Sequence, residues 1–126
     1  MANDHSITNN PIFQNCEYLF SELFALLPKL QRNIAGNEIS YSTDTDTLKA
    51  ISQHTENATY LLLGSIQSLG TLFATAADNK DMGLEAIDIC NIGWLFRAIG
   101  NMLSSCYVLQ ADVGAELVRR GISILN

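Results

Sequence analysis

Charge is what this chain has least of. Asp, Glu, Lys and Arg supply 16% of its 126 residues, where about 25% is usual for a soluble domain. A chain of this length holds one core and must cover it with something polar. Few charges therefore mean either a coat of Ser, Thr, Asn and Gln or less surface facing water. Seven Lys and Arg stand against thirteen Asp and Glu, for a net charge of −6, and only Arg119 and Arg120 are adjacent. No stripe of cations is present to meet phosphate, which argues against direct nucleic-acid binding. The carboxylates are too scattered for a DNA mimic, since they gather only at 44–46, at 78–88, and at Asp112 and Glu116.

The groups that carry chemistry are equally thin. Cys16, Cys90 and Cys106 are odd in number and far apart, with no Cys-x-x-Cys pair. The opening residues MANDHSITNN are polar and lack a basic stretch followed by an apolar one. A reduced, cytoplasmic chain is expected, with its thiols acting as small apolar side chains. Of two histidines, His5 lies in the polar tail, and His54 has Glu56 and Asn57 at spacings that face elsewhere on a helix, so no dyad follows. Glu85 and Asp88 suit a helix N-terminus better than half a metal site, because no Glu-x-x-His accompanies them. None of the eight glycines stands in a phosphate-loop pattern. No enzyme activity, cofactor or metal is expected.

What is present is helical periodicity. Residues 1–10 read as a disordered tail, and residues 11–126 as a single helical domain. From Pro11, the positions Ile12, Cys16, Leu19, Leu23, Leu26 and Leu30 recur at steps of three and four, the stripe of a first helix that Pro28 kinks or ends. Residues 36–46, GNEISYSTDTD, carry no helical stripe and are rich in turn formers, with Asp44, Thr45 and Asp46 as candidate caps. A second helix is predicted from Thr47 to Ala77, an acidic turn over 78–83, and a third helix from Leu84 to Arg119 or Arg120. So short a turn makes the last two helices an antiparallel hairpin.

The third helix is apolar on too many sides. Leu84, Ile87, Trp94, Leu95 and Met102 trace one stripe; Ile89, Ile92, Phe96, Ile99, Leu103 and Cys106 trace another. Gly93 and Gly100 fall between, each costing about 1 kcal/mol against Ala in a helix interior, which close packing or a bend would explain. A helix apolar on most sides is a surrounded helix, and three helices cannot surround one of their own number. The expected solution is all-α: three helices forming a homodimer in which paired hairpins make a four-helix core with the first helices outside. Ile92, Trp94, Phe96, Arg97, Ile99 and Leu103 are the candidate interface, with Arg97 set near acidic residues of another helix and Trp94 and Phe96 as its anchors.

The competing reading is a membrane-active, holin-like hairpin. Residues 57–77 form a charge-free run long enough to span a bilayer. That run nevertheless holds Asn57, Gln67 and several hydroxyls, its partner helix carries Arg97 at mid-segment, and its flanks are acidic.

The segment SIQSLGTLFATAADNKDMGLEAIDICNIGWLFRAIGNMLSSCYVL resembles the small helical-hairpin proteins of temperate phages and their satellites, of the derepression or antirepressor kind. A Leu-rich helix, a short acidic turn, and a second helix with Asn91, Gly93 and Trp94 carry the likeness, over about the last 65 residues. The N-terminal helix and the acidic loop depart from it. The resemblance implies a non-catalytic protein that binds a repressor and removes it from its operator. An acidic dimer with apolar faces suits that role, because it is built to engage protein.

Overall fold

The computed structural model describes residues 19–79 and 83–123. The expected tail, the helix start at Pro11 and residues 80–82 of the acidic turn lie outside these. Helix α1 covers Leu19–Leu26 and runs into a single 3₁₀ turn, Leu27–Lys29, with Pro28 near its start. A proline that cannot donate a backbone hydrogen bond ends the α-helical ladder there.

The next segment adds a small two-stranded sheet to the expected helical architecture. Strands β1 (Arg32–Ala35) and β2 (Glu38–Tyr41) pair antiparallel, Ala35 opposite Glu38 and Arg32 opposite Tyr41. Two residues close the hairpin, and Gly36 takes φ 64° at the first of them, a position that disfavours any side chain and suits a II′ turn. The turn formers at 36–37 therefore join two strands.

Helix α2 spans Thr45–Asp78 and helix α3 spans Ala86–Arg119. Asp44 caps the first, its carboxylate accepting from the Thr47 N–H at 2.8 Å and from the Thr47 hydroxyl at 2.7 Å, and those bonds hold its pKa below the usual range. At the start of α3 the Glu85 N–H donates to the Asp88 carboxylate at 3.0 Å. Its end is closed by Gly121, at φ 76°, with the Ile122 N–H donating to the Leu117 carbonyl at 3.0 Å. The two long helices lie side by side as the predicted hairpin, α1 packs on α2, and β2 meets α3.

The core occupies only the base of this hairpin. Leu48, Ile51, Thr55 and Ala58 of α2 and Val113 and Leu117 of α3 are buried, closed over by Leu19, Leu23 and Tyr41. Each such aliphatic side chain contributes about 1.5–3 kcal/mol by leaving water. Thr55 is tolerated at full burial because its hydroxyl donates to the Ile51 carbonyl at 2.6 Å. Beyond Leu62 on α2, only Ala76 is buried among the described residues.

Glu116 fastens the sheet to this base. Its carboxylate, 7% exposed, pairs with Arg119 at 2.7 Å and Arg120 at 2.9 Å and accepts the Tyr41 N–H at 3.3 Å. The arginines reach onward: Arg119 donates to the Ile39 carbonyl at 2.7 Å, and Arg120 to the Tyr41 carbonyl at 2.7 Å and the Thr45 hydroxyl at 3.1 Å. The Arg120 hydrogen bond, with help from the Tyr41 N–H and the two guanidinium charges, lowers the Glu116 pKa against the opposing effect of burial. A depressed folded pKa means that this stabilisation is complete above ~4.3, the unfolded glutamate value, and fades as pH falls through the folded one. Glu116→Gln is expected to cost about 2 kcal/mol at pH 7 and to flatten the loss of stability below pH ~4, measured by denaturant melts across the acid range.

Candidate interaction surface

The six residues singled out on α3 do not share one face. Ile99 is buried; Ile92, Phe96 and Leu103 are half-buried, and with Ile99 they follow the three–four spacing of the side that meets α2. Trp94 and Arg97 are exposed and point elsewhere. The Arg97 guanidinium lies 5.6 Å from the Trp94 ring centroid, a cation–π contact of about 0.5–1 kcal/mol at an exposed site. Trp94 and Phe96, two positions apart, cannot act from one surface. Asn91, Asn101 and Gln67 are exposed, so none is a buried polar group in need of a partner.

Two apolar sides of the hairpin emerge once α1 is placed. Glu22 of α1 meets Nε2 of His54 at 3.3 Å, and Phe20, Leu23, Phe24 and Leu27 line a groove of about 300 Å³ with Met102, Cys106 and Leu109. That fixes which side of α2 and α3 carries α1. With Nε2 turned to Glu22, the buried Nδ1 of His54 has no hydrogen-bond partner among the described residues, a cost accepted for anchoring α1. The sequence offered Glu56 and Asn57 as neighbours of His54; its true partner comes from another element, which spacing cannot reveal.

Above α1 on that same side, no described element covers the surface. Leu72 stands about five turns along from His54, and Ile87 about five turns back from Ser105. Leu72 is 66% exposed, Trp94 62% and Ile87 60%, with Leu95 and Met102 also exposed between them. Hydroxyl groups do little to break this apolar surface, because they turn back on their own helices. Ser65 donates to the Leu61 carbonyl at 2.8 Å, Thr75 to Thr71 at 2.9 Å and Ser105 to Asn101 at 3.0 Å.

The expected reason for the α3 glycines takes a different form here. A Cβ built at Gly93 or Gly100 meets nothing within 4 Å, so among the described residues no neighbouring element approaches them. Cys90 is exposed and Cys106 buried, and both are free. Among the described residues, no three His, Cys, Asp or Glu side chains gather where a metal ion would sit.

No protein-family model, no curated protein and no solved structure matches this chain.

Burial pushes the Cys106 thiol pKa up, which makes it a poor nucleophile as well as an inaccessible one. In a Cys16→Ser background, a maleimide should therefore modify Cys90 within minutes and Cys106 only after unfolding. Equal rates at the two, followed by mass spectrometry, would place Cys106 outside the core.

Proposed function

We propose that the chain is a non-enzymatic regulatory interaction module, a homodimer of the cytoplasm that acts by binding a protein partner stoichiometrically. The observation that carries this reading is the uncovered upper half of the hairpin, where Leu72, Ile87, Trp94 and Leu95 stand exposed on one side with Arg97 laid against the Trp94 ring. Monomers rarely leave contiguous apolar patches of several hundred Å² in water. Trp and Arg dominate the energetics of protein interfaces, because a large flat ring and a multivalent donor gain most from leaving water together. The partner proposed is a repressor, following the resemblance to phage antirepressors. The chain would release DNA by capturing the repressor and without touching DNA, in keeping with its net charge of −6.

A membrane-active hairpin is the second reading. Helix α2 is long and apolar enough to cross a bilayer, and little of that stretch is buried. Fractionation separates the two: the interaction reading requires the chain in the soluble fraction without detergent, and the membrane reading requires it in the pellet.

Immobilised wild-type chain and a Trp94→Ala variant, each exposed to extract of the native host, test the first reading. A single protein retained near equimolar ratio by wild type and at least tenfold less by the variant supports it, and that protein should leave its operator when the chain is added. Retention of nothing, or of the same protein equally by both, contradicts it.

A further inference from the structure

Among the described residues, no element packs on the other side of the α2–α3 hairpin. Both α1 and the β-hairpin lie on the side marked by His54, Leu109 and Glu116. Half a helical turn away, α3 carries the row Ile89, Gly93, Phe96, Gly100, Leu103 and Tyr107, spaced four, three, four, three, four, with Phe96 and Leu103 half-buried along its edge toward α2 and the other four exposed. On α2, Thr59, Leu63, Ile66, Gly70, Phe73 and Ala77 repeat the same spacing. This is the seam periodicity of helices that pack along their length. Tyr107 is 76% exposed, Ile89 51% and Leu63 49%, and a Cβ at Gly70, Gly93 or Gly100 meets nothing within 4 Å. No charged residue interrupts either row, although the whole chain carries −6. Toward the base the same side turns polar at Lys49, Ser52 and Glu56, which bounds the apolar stretch.

We propose that this face is the homodimer interface: a second copy of the chain packs on it antiparallel, about a two-fold axis near Ala98, so that bulky side chains of each copy fill the glycine gaps of the other. The inference rests on the homodimer reading above and specifies its geometry. The register comes from the α3 row itself. An antiparallel two-fold at its midpoint sets Phe96 against the partner's Gly100, Leu103 against the partner's Gly93, and Ile89 against the partner's Tyr107. The first two contacts each place a large side chain against a residue with none. The glycines, unused within the chain, become the sockets that let two α3 helices approach closely.

Size and charge favour a second copy over other occupants. The α3 row runs about 27 Å and the hairpin is about 20 Å wide, a footprint on the order of 500 Å² per chain before surface relief is counted, which reaches the roughly 1,000 Å² total that a specific interface needs. Two chains of −6 repel, so they can meet only where neither presents charge, and this face meets that condition. The four helices so joined leave α1 and the Trp94 side outside, free for a different protein.

Light scattering with size exclusion, on the full chain, reads the result. Wild type is expected at twice the 13.8 kDa chain mass. Gly93→Leu and Gly100→Leu, at positions where an added Cβ meets nothing within 4 Å, should keep their helicity and melt no lower as monomers, yet weaken dimerisation at least 100-fold. Leu72→Glu and Trp94→Glu, on the opposite side, should leave the dimer intact. In a Cys16→Ser, Cys90→Ser, Cys106→Ala background, Ile89→Cys and Tyr107→Cys chains should cross-link through a short bismaleimide when mixed and not when alone. A wild-type monomer at every concentration overturns both this inference and the homodimer reading. A dimer that ignores the glycine variants but dissociates with Leu72→Glu overturns the face and leaves the homodimer. A chain recovered only in membranes overturns it in favour of a bilayer covering this face.

Discussion

One buried carboxylate organises the base of this molecule. A two-stranded hairpin of four-residue strands has little stability of its own in water, and β1–β2 persists because Glu116 gathers Arg119, Arg120 and the Tyr41 N–H while the two guanidinium groups bind the carbonyls of Ile39 and Tyr41. Each partner satisfies the other, so the cost of burying charge is met by hydrogen bonds on every side. Once fixed, the sheet holds the chain on either side of it. The Gln31 N–H donates to the Thr43 hydroxyl at 2.7 Å, which in turn donates to the Lys29 carbonyl at 3.3 Å, and the segment following α1 is thereby tied to the start of α2.

That attachment makes the fold asymmetric in two directions. Along the hairpin, α1 and the sheet cover the base, and among the described residues the upper half of the two 34-residue helices has only each other. Across the hairpin, both of these covering elements sit on one side and no described element covers the other, whereas stable domains bury both faces of an apolar element. Helices gain most of their stability in proteins from packing, so the upper half is the part of the fold that profits most from a second polypeptide. Two surfaces with different character result, one rich in glycine and evenly spaced, the other centred on Trp94 and Arg97. Under the proposals above, self-association falls to the first and capture of a partner to the second.

Helical periodicity made α2 and α3 legible to within two residues at each end, because a three–four stripe over thirty positions outweighs any local accident, and Asp44 and Gly121 marked boundaries with known chemistry. The strands escaped for the opposite reason. Four residues are too few for alternation to stand out, and the dipeptide Gly36–Asn37 signals a helix end as readily as a hairpin turn. Glu116 looked like one of several scattered acids, since its partners on β2 are about 75 positions distant. The candidate site was half legible. That α3 carries excess apolar circumference could be read from composition, but grouping Trp94 with Phe96 followed their nearness in sequence, and on a helix that nearness places them on different sides. Which stripe faces α2 was decided by where α1 docks, and the contact that sets it, Glu22 with His54, joins elements with no local sequence relation.

The base of the hairpin is covered by α1 and the sheet, and no described element covers its upper half. Amide hydrogen exchange along α2 and α3, compared at low and high protein concentration, reads this directly. Residues 48–58 and 113–117 should be protected equally at both, while protection of 63–77 and 87–103 should rise with concentration as a second chain covers them. Strong protection of the upper half at the lowest concentration, matching the base and unchanged on concentrating, would mean that the single chain is already complete and would contradict the account.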